Sequence, residues 1–583
     1  MNNYYASPVM SRVRERLARL YGSAADRLLS RFAMMIGRYG ITAESRPLPQ
    51  NVDQRTCLLI AYADSVQKSP KPSLAVMRQF LENHVGKTVT HLHVLPFYPS
   101  SSDDGFSVVH FRTVDPRFGK WSELQALGQS YDLMFDLVLN HVSSQSGWFQ
   151  DYISGTAPGR HYFIEADPKN DFSNVIRPRS SPLFTPIPTH AGAKNVWTTF
   201  SADQIDLNYA NPDVLFEMLD ILLFYIAMGA RVLRLDAIAY LWKRQGTNCL
   251  NQPETHEIVR LLRDMLTLVA PDVRLLTETN LPHSENLSYF GDGDEAHWIY
   301  QFSLPPLLLH ALVKGTARYL AAWAEKISPP PSGCAYLNIT GTHDGIGIRP
   351  LEGLVPESEI AGLVDHIVKL GGRVSTRRTA KDHDAPYELN SSWFDALGQF
   401  AGDTPDLHMA RFLCAQTILM ALKGIPAVYF NTLIAAPNDR ALAGRTGMNR
   451  SLNRGKWQLT DLDAMLVDQA SPTFRSFFAH MRILKIRAEH PAFHPDGLQK
   501  VVAVTDAVLG IERRSPDGTE RILMLANLSD RTVHLSRANL QAHGWQNHGM
   551  VDILTGQSVP LNNGALSLGA YAAVWLALST LVR

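Results

Sequence analysis

The chain has 583 residues, in which 55 Lys and Arg residues balance 55 Asp and Glu residues. Hydrophobic residues make up 45% and charged residues 19%, an ordinary globular composition that excludes a wholly disordered protein. Zero formal net charge argues against a nucleic-acid partner, because nucleic-acid binders normally carry a basic excess.

Residues 1–55 predict a helical extension in front of the main domain. Apolar residues recur there at helical spacing in two stretches, and the string ESRPLPQN that follows is typical of a connector. The first residues mix Arg with Glu and lack an apolar core, so we expect no secretory leader. The cysteines are few and widely spaced, without a zinc-binding pattern, which favours a cytoplasmic location.

From residue 57 onward, short apolar runs predict buried parallel strands. The runs are 57–64, 89–97, 132–141, 231–237, 274–280, 297–302, 335–344 and 425–432. Continuous apolar runs are typical of parallel strands that are covered on both faces. Helical patterns lie between several of them; in the clearest, Asn211 is a candidate cap and Pro212 fits the first turn.

The polar residues at the ends of these runs favour a barrel over a doubly wound sheet, which alternation alone would also fit. His141, Asp236, Glu278 and Asp344 each lie at or near the end of a run. In a (β/α)8 barrel the carboxyl ends of the strands converge on one face, where barrel enzymes build their active sites. We therefore predict an α/β chain built on a (β/α)8 TIM barrel.

Two connections are much longer than is usual in such folds, and both predict inserted functional segments. Beyond about residue 496, short alternating strands predict an antiparallel β domain. The predicted segments are a helical extension 1–55, a barrel 56–141, 211–344 and 396–495, an inserted B domain 142–210, an inserted loop (B′) domain 345–395, and a C-terminal β domain 496–583.

The uncharged stretch 565–582 has the minimum length of a membrane-spanning helix. It contains Ser, Gly and Thr, and it follows the turn-rich string PLNNG. We interpret it as the final strands of the β domain, with a membrane tail as the alternative, and expect no membrane partner.

The carboxylates at the strand ends form the candidate catalytic set. Arg234 lies two residues before Asp236, hence on the same strand face, and an ion pair between them would keep Asp236 deprotonated. Glu278 follows apolar residues, which would raise its pKa and suit a general acid. Any one of these groups alone is more often a helix cap or a surface residue. Three of them, counting Asp344, at the ends of three barrel strands predict a catalytic site.

The strings DLVLNH, RVLRLDA, LLTETN and GTHDGIG resemble, in order and spacing, the four signature regions of the α-amylase clan, glycoside hydrolase family 13. The resemblance implies a retaining mechanism through a covalent glycosyl-enzyme intermediate. It also implies that Asp236 is the nucleophile, Glu278 the acid/base and Asp344 the stabiliser of the distorted sugar.

Further strings, among them YADS, LPFYPSSSDDGFS, QIDLNYANP and THDGIGIRPLEGLVP, are similar to the sucrose phosphorylase subfamily. The similarity implies a glucosyl-binding site in which polar side chains hold the hydroxyls and aromatic side chains contact the ring. Instead of contacting the sugar, the aromatic side chains could pack in the core. Arg454 could be a solvated surface charge instead of a substrate-binding residue. The substrate-binding positions expected from it are Asp103, Phe106, His141, Phe200, Arg234, Tyr240, Asn280, His343, Tyr387, Glu388 and Arg454.

Attack by phosphate on the intermediate requires cationic or amide donors beside the anomeric carbon. Arg179, in VIRPRSSPLF, matches a phosphate-contacting arginine of sucrose phosphorylases, although a surface arginine is the alternative. The second long loop has a high local density of basic residues. These residues either attract an anion or are solvated surface charges. Its basic residues are Arg373, Arg377, Arg378, Lys381 and His383.

The chain departs from sucrose phosphorylases where the leaving group should lie. Glu388 stands where those enzymes usually have Gln, Ile176 where a tyrosine is common, and Asn280 where a histidine is common. The long N-terminus, SSSDDGFS and ETNLPHSENLSYFGDGDEAH resemble the glucosylglycerate phosphorylase branch. An arginine of the second loop would bind the glycerate carboxylate with paired hydrogen bonds, whereas Glu388 beside the acceptor would repel it.

The resemblance therefore implies a retaining α-glucoside phosphorylase that converts a small α-glucoside, glucosylglycerate in the first instance, and phosphate into α-D-glucose 1-phosphate and free acceptor. Sucrose phosphorylase, glucosylglycerol phosphorylase and a hydrolase or transglucosidase of the same clan are the alternatives; the intact carboxylates disfavour a catalytically inactive binding protein. We expect inorganic phosphate as co-substrate, no cofactor and no metal. The expected partners are the small-molecule glucoside and phosphate, in a monomer or homodimer.

Overall fold

The fold is that of a computed structural model, which describes residues 7–46, 52–378, 384–398, 400, 402–545, 549–559 and 565–578. Two of the predicted basic-loop residues, Lys381 and His383, lie outside these ranges. The predicted catalytic, substrate-binding and phosphate-binding residues all lie inside them.

Within the described residues, eight parallel strands form a closed barrel, as the apolar runs predicted. Neighbours in the chain are neighbours in the barrel, and the eighth strand closes against the first. Their residues are almost all buried, because helices cover the outside and side chains fill the inside. The strands are β1 (Leu58–Ala61), β2 (His91–Val94), β3 (Asp132–Val138), β4 (Ala230–Asp236), β5 (Arg274–Thr277), β6 (Trp298–Tyr300), β7 (Ala335–Asn338) and β8 (Ile425–Tyr429).

Helices surround this barrel, and further helices lie in the segments that connect its strands. The clearest predicted helix is confirmed: Asn211 Oδ1 accepts a hydrogen bond from the Asp213 amide at 3.0 Å, and Pro212 is its first residue. The described α-helices are α1 (Pro8–Tyr21), α2 (Ala25–Arg38), α3 (Ser73–Phe80), α4 (Trp121–Leu127), α5 (Gly147–Ser154), α6 (Pro212–Ala227), α7 (Pro253–Val269), α8 (His283–Leu287), α9 (Leu304–Lys314), α10 (Arg318–Glu325), α11 (Glu357–Lys369), α12 (Trp393–Ala396), α13 (Pro405–Ala421), α14 (Phe430–Leu433), α15 (Arg440–Thr446), α16 (Leu459–Val467), α17 (Pro472–Glu489) and α18 (Arg537–Gln541).

The N-terminal helices α1 and α2 pack on the barrel. Met10, Val13 and Leu17 are buried on the face of α1 that meets α7. Arg16 is also buried, and its Nε donates to Asp264 Oδ2 on α7 at 2.6 Å. A buried arginine paired with a buried carboxylate fixes the position of α1 on the barrel wall, since separating the pair would leave a charge unpaired.

Two inserts rise from the carboxyl end of the barrel within the segments predicted for them. The first contains α5 and a hairpin formed by Phe184–Thr189 and Gly192–Trp197, and its strand Gln204–Asp206 pairs with His141–Ser143. The second contains α11 and a three-stranded antiparallel sheet. The strands of that sheet, in spatial order, are Ile346–Gly347, Asp384–Asn390 and Arg373–Arg378. A short parallel pair joins Val66–Gln67 to Trp457–Gln458.

The described C-terminal residues form antiparallel strands, as predicted. Six of them build one sheet in the order β9-β10-β11-β16-β13-β14, and β12 pairs with β15. Within 565–578 the residues form two strands joined by a turn, and no helix in the described ranges has the length and apolar character needed to cross a membrane. The strands are β9 (Leu498–Val501), β10 (Val508–Arg514), β11 (Arg521–Asn527), β12 (Val533–Ser536), β13 (Met550–Asp552), β14 (Gln557–Ser558), β15 (Ala565–Leu568) and β16 (Ala573–Leu578).

Candidate active site

A cavity at the carboxyl end of the barrel collects most of the predicted site residues. A larger cavity, about 1000 Å³, opens at the opposite end and is lined by none of them, so the polar cavity is the candidate active site. The predicted residues that line the candidate site are Asp103, Phe106, His141, Arg179, Phe200, Asp236, Tyr240, Glu278, Asn280, His343, Asp344 and Tyr387.

Asp236 is the last residue of β4 and is 7% exposed. The predicted ion pair is present: Arg234 Nη1 lies 2.8 Å from Asp236 Oδ1 and 2.5 Å from Asp136 Oδ1. Burial nevertheless raises the pKa of Asp236 to about 8, with Arg234 opposing the rise. The expectation that the ion pair keeps Asp236 ionised is thus wrong, because the cost of desolvation outweighs the attraction of Arg234.

Glu278 follows β5 and faces Asp236 across the site. Its Oε2 accepts a hydrogen bond from the Ala237 amide at 3.0 Å, which fixes the carboxyl beside the end of β4. Burial raises the pKa of Glu278, and the charge of Asp344 adds to the rise. Two buried carboxyls that repel each other bind protons as a pair. The charge of Arg234 opposes the rise at both carboxyls, and its direct contact is with Asp236.

Asp344 is held by an arginine that the sequence analysis did not select. Arg450 Nη1 lies 2.6 Å from Asp344 Oδ1, and the same guanidinium donates two hydrogen bonds to Glu388, at 2.8 and 3.1 Å. Although burial opposes it, the charge of Arg450 lowers the pKa of Asp344, so this carboxyl is ionised. Glu388 is fully buried and its carboxylate is occupied by Arg450.

His343 presents a ring with unused hydrogen-bonding capacity to the cavity. The ring stacks on Phe106, with 5.1 Å between centroids and an interplanar angle of 4°. Neither ring nitrogen has a hydrogen-bond partner among the described residues, although Nε2 lies 3.5 Å from Asp344 Oδ2. Burial lowers the pKa of His343, so the ring is neutral and offers one donor and one acceptor. A ligand hydroxyl in the cavity would satisfy them.

The turn Asp103–Gly105 places Asp103 and Phe106 at the cavity. Asp103 and Asp104 have φ angles of 52° and 48°, and Gly105 has a φ of 111°. A Cβ at Gly105 would lie 2.5 Å from the Pro96 carbonyl oxygen, so only glycine fits this close approach. Behind the turn, Arg454 Nη1 contacts Asp103 Oδ1 at 3.1 Å and Asp104 Oδ2 at 2.8 Å. The two carboxylates compensate the buried guanidinium and hold the strained turn.

His141 is fixed as a neutral ring by its neighbours. Its Nε2 lies 3.0 Å from the Phe106 carbonyl oxygen, and its Nδ1 lies 3.2 Å from Asn140 Nδ2. The amide of Asn140 is itself oriented, because Lys243 Nζ lies 2.6 Å from Asn140 Oδ1 and 2.5 Å from Asp206 Oδ2. The carbonyl therefore receives the Nε2 proton, and Nδ1 accepts. Burial lowers the pKa of His141, which agrees with this neutral form.

Aromatic rings form one continuous side of the cavity. The centroid of Phe200 lies 5.3 Å from that of His141 and 5.4 Å from that of Tyr240. Both Phe200 and Tyr240 line the cavity, as Phe106 does, so these rings are wall residues of the site and not only core packing. An apolar wall opposite polar groups is typical of a site that binds a sugar ring.

The cavity mouth carries Arg179 and Asn280. The Arg179 guanidinium lies 5.6 Å from the centroid of the Tyr387 ring, and its Nη1 is buried without a hydrogen-bond partner within the described ranges. Asn280 packs against the second insert, where a Cβ at Gly347 would lie 2.2 Å from Asn280 Oδ1. Arg179 is therefore a cationic donor in the same cavity as the predicted catalytic carboxyls, and its contact with phosphate stays a prediction.

Three residues predicted to bind substrate do not line the cavity. Arg234, Arg454 and Glu388 are at most 2% exposed and lie behind the wall. Each contacts a lining side chain instead, so each acts by positioning. Arg234 holds Asp236, Arg454 holds Asp103, and Glu388 holds Arg450.

Four lining residues were missed, namely Gln204, Ala237, Thr279 and Arg450. Arg450 lies in the same string, NRSLNR, as the predicted Arg454, and only the fold separates the two. Ala237 follows Asp236 and Thr279 follows Glu278 in the sequence, so their position next to the predicted catalytic residues could have identified them. Gln204 Nε2 lies 3.2 Å from His141 Nε2 and 3.5 Å from Asp103 Oδ2, a contact across the first insert.

Comparison with known proteins agrees with this site. Residues 83–325 match the family described as "Alpha amylase, catalytic domain". The chain is 43% identical over 525 residues to a glucosylglycerate phosphorylase of Allomeiothermus silvanus, covering 90% of this chain and 93% of the relative. It is 31% identical to a glucosylglycerol phosphorylase of Marinobacter adhaerens, covering 75% and 87%. A crystal structure of sucrose 6F-phosphate phosphorylase from Thermoanaerobacter thermosaccharolyticum shares the fold, with a TM-score of 0.71 at 23% identity over 83% of this chain and 96% of that chain.

Proposed function

The chain belongs to the α-amylase family, and on that premise we propose that it is a retaining α-glucoside phosphorylase. It transfers a glucosyl unit from a small α-glucoside to phosphate, giving α-D-glucose 1-phosphate and the free acceptor. The observation that carries the proposal is the set Asp236, Glu278 and Asp344 in one cavity with Arg179 at its mouth. Relatives that are 39–43% identical to this chain are phosphorylases.

In the first step, Asp236 attacks the anomeric carbon while Glu278 donates its proton to the departing acceptor oxygen. The carbon–oxygen bond breaks, and a covalent ester joins the glucosyl unit to Asp236. The raised pKa of Glu278 supports its role as proton donor, because burial makes this carboxyl hold its proton to a higher pH than an ordinary glutamate does. Asp344, kept ionised by Arg450, stabilises the positive charge that develops on the sugar ring.

In the second step, a phosphate oxygen attacks the anomeric carbon from the side that the acceptor has left. The ester bond breaks, Asp236 departs as carboxylate, and Glu278 recovers a proton from the phosphate. Arg179 supplies a cationic donor at that position, since its Nη1 has no hydrogen-bond partner in the described structure. Two successive displacements at one carbon retain its configuration.

We propose glycerate as the acceptor, so that the substrate is glucosylglycerate. The departures from sucrose phosphorylases at Ile176 and Asn280 support an acceptor other than fructose. Glu388 no longer argues against an anionic acceptor, because its carboxylate is bound by Arg450 and does not line the cavity. Sucrose, glucosylglycerol, or hydrolysis and transglucosylation by the same carboxylates are the alternatives.

The decisive experiment compares glucosylglycerate, glucosylglycerol and sucrose at one pH and one phosphate concentration, with glucose 1-phosphate and glucose as measured products. We expect the highest kcat/KM for glucosylglycerate, with glucose 1-phosphate as the main product. If kcat/KM is highest for sucrose, the assignment of glycerate as the acceptor is wrong, whereas the proposed phosphorylase mechanism still stands. Phosphate-independent release of glucose from every substrate would make the chain a hydrolase.

The remaining properties follow the same proposal. Inorganic phosphate is the co-substrate, and the chemistry of the carboxyl pair needs no redox cofactor and no metal. A cytoplasmic location is supported by the four cysteines, which are all buried and unpaired. The enzyme is a monomer or homodimer, which analytical ultracentrifugation would distinguish.

A further inference from the structure

Arg179 is the cation of the candidate site whose charge no described carboxylate compensates. Two arginines and no lysine line the cavity within the described residues, namely Arg179 and Arg450. Arg450 lies between two carboxylates, with its Nη1 2.6 Å from Asp344 Oδ1 and its Nη2 2.8 Å from Glu388 Oε1. Arg179 forms no ion pair in the described structure, and its Nη1 is buried without a hydrogen-bond partner there. Arg179 therefore keeps a positive charge and a donor for a ligand.

The contacts of Arg179 place it where the two inserts meet over the catalytic carboxyls. Arg179 belongs to the first insert, and its guanidinium carbon lies 5.6 Å from the centroid of the Tyr387 ring in the second. Tyr387 lines the same cavity, as does Asn280, which follows the acid/base Glu278 by two residues. Asn280 Oδ1 is likewise buried without a partner among the described residues. This part of the wall thus offers a donor and an acceptor that the protein itself leaves unused.

Retention of configuration requires the acceptor and phosphate to occupy the same space in turn. In the proposed mechanism, phosphate attacks the anomeric carbon from the face that the acceptor has left, beside Glu278. The groups expected to hold the glucosyl unit form a separate cluster around Phe106, which stacks on His343 at 5.1 Å and whose carbonyl oxygen lies 3.0 Å from His141 Nε2. The part of the cavity beside Arg179 therefore remains for the acceptor and, after it, for phosphate.

Both molecules that would enter this part of the cavity are anions. Glycerate has only three carbon atoms, so its carboxylate stays close to the glucosidic bond that breaks. The arginines of the second insert are engaged outside the cavity and do not line it: Arg377 Nη2 donates to Glu352 Oε1 at 3.2 Å, and Arg373 Nη1 points to the Ala443 carbonyl oxygen at 3.5 Å. Arg179 is thus the guanidinium that both anions meet.

We propose that Arg179 forms one anion site that is used twice, binding the carboxylate of glycerate in the first step and phosphate in the second. A guanidinium suits both ligands, because its N–H groups match the oxygens of a carboxylate or a phosphate with paired hydrogen bonds. The shared site selects glycerate over uncharged glycerol, and it requires glycerate to leave before phosphate binds. The inference rests on the proposed function, since it assigns the acceptor side of the same site.

The test measures how the glucosyl-enzyme divides between an anionic and a neutral acceptor. With α-glucosyl fluoride as donor, the carbon–fluorine bond breaks, fluoride leaves, and Asp236 becomes bonded to the anomeric carbon. One mixture then offers glycerate and glycerol at equal concentrations, and a second offers phosphate and glycerol. In each, the attacking oxygen gives its proton to Glu278 as the ester to Asp236 breaks. The initial ratio of the two products does not depend on how fast the intermediate forms.

We expect Arg179→Gln to lower two ratios about tenfold or more, glucosylglycerate to glucosylglycerol and glucose 1-phosphate to glucosylglycerol, because each anion loses a charge-assisted contact that glycerol never makes. Arg160→Gln is the matched control, since Arg160 is an exposed residue of the same insert that does not line the cavity. It should keep both wild-type ratios. Formation of any product shows that a variant is folded and competent at Asp236. Arg179→Lys, which keeps the charge without the paired geometry, should also lower both ratios, and it replaces Arg179→Gln if that variant forms no product.

The outcomes separate this inference from the proposed function. A fall in only one of the two ratios, or in neither, overturns the shared site, and so does an equal fall in Arg160→Gln. In these cases a wild type that forms more glucosylglycerate than glucosylglycerol still supports glycerate as the acceptor. A wild type that forms more glucosylglycerol overturns the proposed acceptor, and one that forms only glucose in the presence of phosphate overturns the phosphorylase function.

Discussion

Replacement of Glu278 by glutamine isolates proton donation from every other property of the site. The carboxyl accepts one hydrogen bond, from the Ala237 amide at 3.0 Å, and the carbonyl oxygen of a glutamine accepts the same bond. Size and burial are also preserved. The amide has no acidic proton, so the departing acceptor oxygen must leave unprotonated. Glu278→Gln should therefore slow the first step and leave substrate binding almost unchanged.

The size of the effect depends on the leaving group. General acid catalysis typically contributes about 100- to 10,000-fold, or about 2.7 to 5.4 kcal/mol of transition-state stabilisation. We expect a loss within this range for glucosylglycerate, whose leaving alkoxide is strongly basic. Fluoride leaves without a proton, so α-glucosyl fluoride should lose less than about tenfold. The second step should also be less affected, since phosphate brings its own acidic proton and negative charge.

The assay follows glucose 1-phosphate from glucosylglycerate and fluoride ion from α-glucosyl fluoride in parallel. The pH dependence gives a second signature. Because burial raises the pKa of Glu278, the wild type keeps this proton to a higher pH than an ordinary glutamate does and loses it as the pH rises further, so kcat/KM for glucosylglycerate falls on the alkaline side of that pKa. The variant should lack that fall. Equal losses for both substrates, with the alkaline fall intact, would refute the role of Glu278 as acid.

The remaining predictions concern the nucleophile, the phosphate site and the ion pair between Glu388 and Arg450. Asp236→Ala should lower turnover of every glucoside by orders of magnitude, and a residual rate above about a tenth of wild type would contradict a covalent nucleophile. Arg179→Ala should raise the KM for phosphate and shift the products from glucose 1-phosphate toward glucose; an unchanged product ratio would remove Arg179 from the phosphate site. Glu388→Ala should lower the free energy of unfolding by about 1.5–3 kcal/mol, because Arg450 loses the charged partner of two hydrogen bonds and keeps only Asp344, and urea denaturation measures it. Glu388→Gln is the milder control, and equal stability of Glu388→Ala and wild type would show that the pair contributes nothing.

The conformation of the second insert bears directly on acceptor choice. The sequence places a carboxylate, Glu388, where sucrose phosphorylases usually have an amide, and its charge alone suggests repulsion of glycerate. In the fold that carboxylate is bound by Arg450 and does not line the cavity. The cavity is instead lined by Arg179, whose charge favours an anion.

The sequence alone determined the barrel and the identity of the carboxyl groups. Strands that are covered on both faces are mostly apolar, so the eight strands appear in the sequence as short apolar runs with few polar positions. The ends of parallel strands converge in a barrel, so Asp236 and Glu278 could be placed on one face without knowledge of their distance. The two N-terminal helices could also be predicted from the sequence, because their apolar positions repeat at helical spacing.

Only the tertiary structure decided which charges meet. Glu388 and Arg450 are 62 residues apart in the chain, and Arg454 reaches Asp103 across 351 residues. Within NRSLNR nothing local distinguishes the arginine that lines the cavity from the one behind it. The net pKa of Asp236 likewise depends on how completely the fold removes water, which outweighs the neighbouring Arg234. Periodicity and strand ends are local properties of a sequence, whereas ion pairing and desolvation are set by residues that only folding brings together.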